Sequence, residues 1–112
     1  MQVKSVAKDV GVSARKMRLV VDMVRGKAVD EALTMLRFAP TPNSRIIAKA
    51  VKAAAADAES NYQMPSALLR IVGISADEAT TLKRFRAGAR HRVNPVLRRS
   101  SHITVIVGDG EA

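Results

Sequence analysis

The spacing of apolar residues changes part-way along the chain, and this change limits the possible folds more than any other feature. Up to Asn61, large apolar side chains mostly recur at intervals of three and four, the repeat of an amphipathic helix. From Leu69 the repeat becomes two, the repeat of a β-strand. We therefore expect helices first and a small sheet built largely from the second half of the chain.

Start and stop signals divide the first part into three predicted helices. They span residues 14–25, 30–38 and 42–61. Ser13 is a suitable N-cap for the first helix, and Gly26 stands where a glycine ends a helix. Pro40 stops the second helix, and Thr41 followed by Pro42 predicts an N-cap with proline at the first helical position. We expect the first two helices to form a helical hairpin.

Three strands are predicted, one at each end of the chain and one after the third helix. The first is a short edge strand over Met1–Lys8, which Asp9–Gly11 ends. The second has Leu69, Ile71 and Gly73 on one face, and the third covers Ser101–Val107. The last two strands would pair antiparallel, so the segment between them would form the far end of a hairpin.

The charge balance points to a polyanionic partner. The 112 residues carry 19 Lys and Arg against 10 Asp and Glu, a formal charge of +9, and aromatic residues make up only 3%. Such self-repulsion favours a nucleic-acid partner, while the few aromatics argue against base stacking as the main mode of binding. Without Cys, a leader-like apolar segment or a membrane-length apolar run, the sequence indicates a soluble, unexported protein of a reducing compartment.

One stretch concentrates the positive charge. No acidic residue occurs from Ala79 to Gly108, whereas seven cations lie within Lys83–Arg99. The simplest alternative is a solvated basic loop. Arg outnumbers Lys here, however, and the planar guanidinium suits bidentate contacts with phosphate. The pattern therefore favours RNA or DNA binding.

Catalytic and metal sites find no support in the sequence. His91 and His102 have no partner at metal-ligand spacing. Asp77–Glu78 are strand neighbours that would point to opposite faces, so they could not flank one substrate bond. Ser100 and Ser101 precede a histidine but lack a nearby orienting carboxylate and a glycine elbow. We expect neither a cofactor nor enzymatic activity.

Four segments, in order, resemble the bacterial form of the large ribosomal subunit protein family twenty-two. They are Ser13–Val20 continuing to Arg25–Lys27, Ala56–Asn61, Leu82–Arg84 and Arg98–Val105. The resemblance spans nearly the whole chain and is most specific in the last segment.

The resemblance implies an α+β fold, with three helices packed on a small antiparallel sheet and a long basic β-hairpin that protrudes from it. It implies one RNA-binding domain over residues 1–112, with the hairpin at about 78–101. The implied protein is a cytoplasmic structural constituent of the large ribosomal subunit that binds rRNA and supports its assembly. Its hairpin would line the nascent polypeptide exit tunnel. Implied partners are large-subunit rRNA, neighbouring ribosomal proteins and the nascent chain, with no membrane and no homo-oligomer.

Site residues follow from the cationic stretch and from the positions of the resemblance. The rRNA-binding candidates are Arg15, Lys16, Arg18, Arg25, Lys27, Lys83, Arg84, Arg86, Arg90, Arg92, Arg98, Arg99 and His102. The candidates for lining the tunnel are Leu82, Lys83, Arg84, Gly88, Arg90, His91 and Arg92.

The chain departs from the family pattern near the hairpin tip. Where relatives place a basic residue and then Gly-Arg-Ala, this chain has Arg90–Val93, and its nearest glycine is Gly88. We therefore expect a displaced turn. Pro95 would lie in the returning strand, where it predicts an edge position or a bulge. The tail Gly108–Ala112 is predicted to be flexible and acidic, and we assign it no role.

The alternative binding function is a DNA-binding helix-turn-helix formed by the first two helices, with the basic stretch as an arm. The second helix begins with Asp30 and Glu31, which would meet phosphate at the reading end, so the sequence argues against this module. A small enzyme is the third hypothesis, and it lacks a catalytic constellation.

Overall fold

The fold, taken from a computed structural model that describes residues 2–108, is of the α+β class. Its strands are β1 (Gln2–Val10), β2 (Arg70–Glu78), β3 (Leu82–Ala87), β4 (Val93–Arg98) and β5 (Ser101–Gly108), and its helices are α1 (Ala14–Val24), α2 (Val29–Phe38) and α3 (Asn43–Tyr62). Three helices pack on an antiparallel sheet, as predicted. No helix within the described residues is long and apolar enough to cross a membrane.

The main sheet is antiparallel and has the order β1-β5-β2. Ile103, Val105 and Val107 form the inward face of the central strand and are 0% exposed, which confirms the predicted face. β1 is an edge strand, as predicted, but it extends to Val10 rather than ending at Lys8. A register shift after Ala7 lets β1 continue past the predicted break.

The predicted alternation of buried and exposed side chains along β2 is wrong beyond Ile71. The pairing with β5 shifts by one residue between Ile71 and Gly73, so the buried face continues at Ile74 and Ala76. A bulge of this kind inserts one unpaired residue and reverses the faces of all later side chains. The bulge therefore places Ile74, and not Gly73, in the core.

α1 buries the side chains that its helical spacing predicted. Met17, Val21 and Val24 are 0% exposed, and the helix ends one residue earlier than expected. Gly26 has a φ of 78°, the left-handed conformation in which glycine avoids a Cβ penalty. Its N–H donates to the carbonyl of Ile71 over 3.2 Å, so the turn after α1 is fixed to β2.

α2 packs chiefly against α3, so the predicted hairpin of the first two helices was wrong. The connection from α1 to α2 pairs with β2 instead. The N–H of Ile71 donates to the carbonyl of Lys27 over 2.9 Å, and the N–H of Val29 donates to that of Leu69 over 3.1 Å. These bonds occupy the few residues that would otherwise turn α2 back onto α1.

α3 lies across β5 and β1 with its alanine-rich face inward. Ala54 and Ala58 are 0% exposed, and such small side chains allow the helix to approach the sheet closely. The helix begins at Asn43 with Pro42 in the N-cap position, one residue later than predicted. The hydroxyl of Ser44 donates to the carbonyl of Thr41 over 2.7 Å, which satisfies a backbone group in the turn before α3.

β3 and β4 form a separate two-stranded antiparallel sheet, hereafter the hairpin. Every residue of β3 is exposed, and in β4 only Val96 is half-buried. The described chain measures 62 × 26 × 21 Å. Because the hairpin buries almost no apolar surface, it contributes little to the core of the body.

Candidate nucleic-acid interface

The pairing of β3 with β4 gives the hairpin two chemically different faces. The arginine face carries Leu82, Arg84, Arg86, Asn94, Val96 and Arg98, and the apolar face carries Lys83, Phe85, Ala87, Val93, Pro95 and Leu97. On the apolar face Phe85 is 73% exposed and Val93 is 63% exposed. Sequence reasoning treated the segment as one cationic run, although the alternation of Arg84, Phe85 and Arg86 already contained the signal for two faces.

The turn of the hairpin depends on two residues that are not glycine. Arg90 and His91 have φ values of 56° and 63°, the left-handed region, in a short 3₁₀ segment Ala89–His91. A Cβ at Gly88 would lie 2.6 Å from the side-chain nitrogen of Asn94, an exposed group that can move aside, and 3.2 Å from the backbone carbonyl oxygen of Arg92. The N–H of Gly88 donates to the carbonyl of Arg92 over 2.6 Å and closes the turn.

Pro95 lies opposite Phe85 in an unbroken register. In a ribbon of two strands each strand is an edge, so the missing N–H of proline need not interrupt the pairing. Of the two predicted possibilities, the structure has the edge position and not the bulge.

Two serine hydroxyls donate hydrogen bonds at the base of the hairpin and in the adjoining part of the body. Ser100 donates to the carbonyl of Thr80 over 2.6 Å, and the buried Ser101 donates to the carbonyl of Val12 over 2.8 Å. The sequence indicates no such structural role for these two serines. His102 accepts a bond from the N–H of Asp9 at its Nδ1 atom over 3.1 Å, so the ring has a structural contact and keeps Nε2 for others.

A hollow of about 1210 Å³ lies between the hairpin base and the body. Three candidate cations, Lys16, Arg98 and Arg99, line it together with Pro42 and Asn43. The structure therefore brings one cation of α1 to the same hollow as the two arginines at the end of the cationic stretch.

Two of the rRNA-binding candidates, Arg18 in α1 and Arg25 directly after it, donate hydrogen bonds to the free edge of β2. Arg18 donates from Nε to the carbonyl of Ala76 over 3.1 Å, and Arg25 donates from Nη2 to that of Ile74 over 3.0 Å. Arg25 also bonds Asp22 over 2.6 Å, an exposed pair that adds little stability. Arg15, Lys16 and Lys27 are exposed. Arg18 and Arg25 thus have a bracing role that sequence reasoning missed, and their remaining donors can still contact a ligand.

The bracing closes a sheet edge that would otherwise be open. Beside the arginine contacts, the carbonyls of Leu69 and Ile71 accept bonds from Val29 and Gly26. An uncovered edge strand offers backbone groups for pairing with another chain. The arginines and the turn after α1 together protect β2 from such pairing.

Removing this brace should weaken the body. We expect the double variant Arg18→Gln, Arg25→Gln to lower the free energy of unfolding by about 1–2 kcal/mol, because each charged donor contributes a bond to a backbone carbonyl at a partly exposed site. Urea denaturation followed by circular dichroism measures the change. The control Arg15→Gln, Lys16→Gln removes the same charge from exposed positions and should stay within about 0.5 kcal/mol. Equal losses in the two variants would contradict the bracing role.

The remaining residues that could bind a metal or act in catalysis are either separated from one another or exposed to solvent. Within residues 2–108 no three His, Asp or Glu side chains are grouped so that they could hold a metal ion. Asp77 and Glu78 are both exposed, and Asp77 pairs in register with His102.

The sequence matches a family model described as ribosomal protein L22p/L17e over residues 5–108. The chain belongs to this family. It is similar to large ribosomal subunit protein uL22 of Dehalococcoides mccartyi strain 195, with 59% identity over 109 residues that cover 97% of this chain and 100% of the relative. The uL22 proteins of strains BAV1 and CBDB1 are each 57% identical over the same shares.

Membership in the L22 family makes the chain a structural component of the large ribosomal subunit and not an enzyme. It places the protein in the cytoplasmic ribosome, with rRNA and other ribosomal proteins as partners. The helix-turn-helix and enzyme hypotheses are set aside on this ground.

Proposed function

We propose that the chain binds large-subunit rRNA through phosphate contacts, supports assembly of the subunit, and lines the nascent polypeptide exit tunnel with its hairpin. It acts as one RNA-binding domain over residues 1–112, without self-association, and residues 78–101 form its extension. The arginine face carries this proposal, because a ribbon with several guanidinium groups on one side and no core of its own needs an anionic partner to cover it.

The geometry of the arginine face suits a phosphate backbone. Arg84 and Arg86 are two residues apart on one strand, so their side chains leave the ribbon about 7 Å apart on the same side. Arg98 lies on the paired strand, opposite Leu82. Each planar guanidinium can bind a phosphate through two N–H groups. A folded RNA can therefore be held by several contacts without any reading of its bases.

The body adds further contacts around the hairpin base. Lys16 and Arg99 line the hollow there, and Arg15 and Lys27 are exposed on the same α1 segment and the turn that follows it. His102 keeps Nε2 available for a ribose hydroxyl or a phosphate, because Nδ1 is already bonded. Arg18 and Arg25 contribute only the donors that the brace on β2 leaves unused.

In this proposal the turn at the end of the hairpin lines the exit tunnel. Arg90, His91 and Arg92 lie in or beside its turn and are exposed, and the N–H of Gly88 closes that turn by donating to the carbonyl of Arg92. Leu82, Lys83 and Arg84 set how far the turn stands from the body, since they begin the outgoing strand. Such a tip can border a passage used by the nascent chain, as the family resemblance implies.

Salt dependence tests the phosphate contacts. We expect log K for binding to in-vitro-transcribed large-subunit rRNA to fall with log salt by about 0.7–0.9 for each contacted phosphate, and hence with a total slope of about 4 or more. Filter binding measures the slope, with random duplex DNA as the competitor. The variant Arg84→Gln, Arg86→Gln, Arg98→Gln should reduce the slope by about 2–3. A flat salt dependence, or equal preference for the duplex DNA, would contradict the proposal.

A further inference from the structure

We propose that a groove between α2 and α3 is a second binding site for the backbone of rRNA, separate from the hairpin. This inference rests on the proposed rRNA binding and assigns a part of that function to residues that neither the sequence motifs nor the cationic stretch indicated. The groove has a volume of about 820 Å³ and contains Arg37, Arg45 and Lys52.

The three cations approach the groove from both of its walls. Arg37 lies in the last turn of α2, and Arg45 lies in the first turn of α3, with Lys52 two turns further along that helix. Leu33 and Ala48 belong to the same lining and are only partly buried. The groove thus combines cationic side chains with an apolar lining, a combination that fits phosphates and the sugars between them.

Within the part of the chain that the structure describes, no carboxylate lines the groove. Among residues 2–108, none of its three cations lies within ion-pair distance of an acidic side chain. The acids of α2, Asp30 and Glu31, lie in its first turn, at the opposite end of the helix from Arg37. The mutual repulsion of the cations is therefore not offset within the described part of the chain, and an anionic ligand would offset it.

An aromatic ring in contact with one of the groove cations favours a nucleotide over an acidic peptide. Phe38 is 77% exposed, and the guanidinium carbon of Arg37 lies 5.9 Å from the centre of its ring. Unpaired RNA bases stack on such exposed rings, while a neighbouring guanidinium binds the phosphate. An acidic peptide would use the cations but would leave the ring without a matching partner.

The groove also adjoins the proposed RNA surface at the hairpin base. Pro42 lines both this groove and the hollow that contains Lys16, Arg98 and Arg99. One RNA strand can therefore pass from the hairpin base across the turn before α3 and into the groove.

Matched charge removal tests the site. At 0.1 M salt, each lost phosphate contact should weaken binding about fivefold, so Arg37→Gln, Arg45→Gln, Lys52→Gln should weaken binding to in-vitro-transcribed large-subunit rRNA about 100-fold. The control Lys4→Gln, Lys8→Gln, Arg70→Gln removes the same charge from the edge strands and should change affinity by less than about threefold, because distant exposed charges are screened. Circular dichroism verifies that both variants keep the fold.

Cross-linking locates the contact directly. After ultraviolet irradiation of the unmodified complex and trypsin cleavage, we expect a nucleotide attached to the peptide Phe38–Arg45. Equal loss of affinity in the two triple variants, with the unmodified chain still binding rRNA, would overturn the groove site and leave the proposed function standing. No preference of the unmodified chain for rRNA would overturn both. The same cross-linking is repeated on large subunits reconstituted with the unmodified chain and the other ribosomal proteins. Attachment of this peptide there to an acidic segment of a neighbouring protein, with unchanged RNA affinity in the groove variant, would assign the groove to protein and overturn the inference.

Discussion

Ribosomes whose only copy of this chain lacks Leu82, Lys83 and Arg84 are expected to assemble and to become several-fold less sensitive to inhibitors that bind in the exit tunnel. The three residues begin β3, and their loss shortens that strand by about 10 Å at roughly 3.3 Å per residue. If the hairpin lines the tunnel as proposed, a withdrawn tip widens the passage, so a nascent chain can pass a bound inhibitor more easily. Arrest by stalling peptides should weaken for the same reason.

The register explains why the tip cannot simply retract and keep its contacts. In the intact hairpin Leu82 pairs with Arg98 and Lys83 pairs with Leu97. If the shortened strand pairs again from its base, Phe85 takes the place of Leu82 on the arginine face, and Arg86 moves to the apolar face. The deletion therefore exchanges the chemistry of the two faces as well as the length of the strand.

The body should fold normally in the deletion variant. Its buried residues, among them Ile47, Val51, Leu69, Ile71 and Val105, all lie outside the deleted segment. The charge control is Arg84→Ala, Arg90→Ala, Arg92→Ala, which keeps the length of the hairpin. Inhibitor sensitivity and release of a stalling peptide are compared with ribosomes that contain the intact chain. Deletion ribosomes that assemble normally and match intact ribosomes in both assays would refute the tunnel role and leave rRNA binding in place.

Amide exchange should separate the body from the hairpin by several orders of magnitude in the free protein. Amides of the central strand β5 open only with the whole fold, so a typical stability of about 5–15 kcal/mol protects them at least about a thousandfold. The hairpin is a single pair of exposed strands, which is marginally stable in water, and we expect its residues 82–98 to exchange within about tenfold of the unfolded rate.

The same measurement on the rRNA complex provides the comparison. Protection should then extend along β3 and β4, while that of β5 should change little. If the hairpin were protected as strongly as β5 in the free protein, it would have to pack on its own body, and an RNA-dependent extension would be excluded.

The fold could be predicted largely because its helices repeat their apolar residues over many turns. Met17, Val20, Val21 and Val24 define one buried stripe on α1, and local spacing alone identifies it. The choice of α3 as the partner of α2 could not be predicted, because it depends on bonds between the α1–α2 connection and a strand more than forty residues later. Interactions across such a distance leave no mark on local periodicity.

The candidate site was predictable in composition but not in arrangement. The cations could be counted from the sequence, and the alternation of Arg84, Phe85 and Arg86 indicated two faces, but which residues of β4 join each face required the observed pairing with Val96, Pro95 and Asn94. The brace formed by Arg18 and Arg25 depends on the bulge near Gly73, which brings the carbonyls of Ile74 and Ala76 within reach of α1. The groove cations Arg37 and Arg45 are far from the cationic stretch, so only the packing of α2 on α3 reveals them.

The bond between Ser100 and Thr80 lies where the hairpin leaves the body, so a small change of geometry there moves the hairpin tip by a larger distance. The two strands of the hairpin continue β2 and β5, which are neighbours in the main sheet, so the direction of the hairpin is set where Ser100 bonds Thr80. β3, from Leu82 to Ala87, spans about 17 Å at roughly 3.3 Å per residue. A tilt of about 10° at the base then displaces the far end of β3 by about 3 Å. Small differences in the contact between Ser100 and Thr80 are thus magnified at the far end of the hairpin.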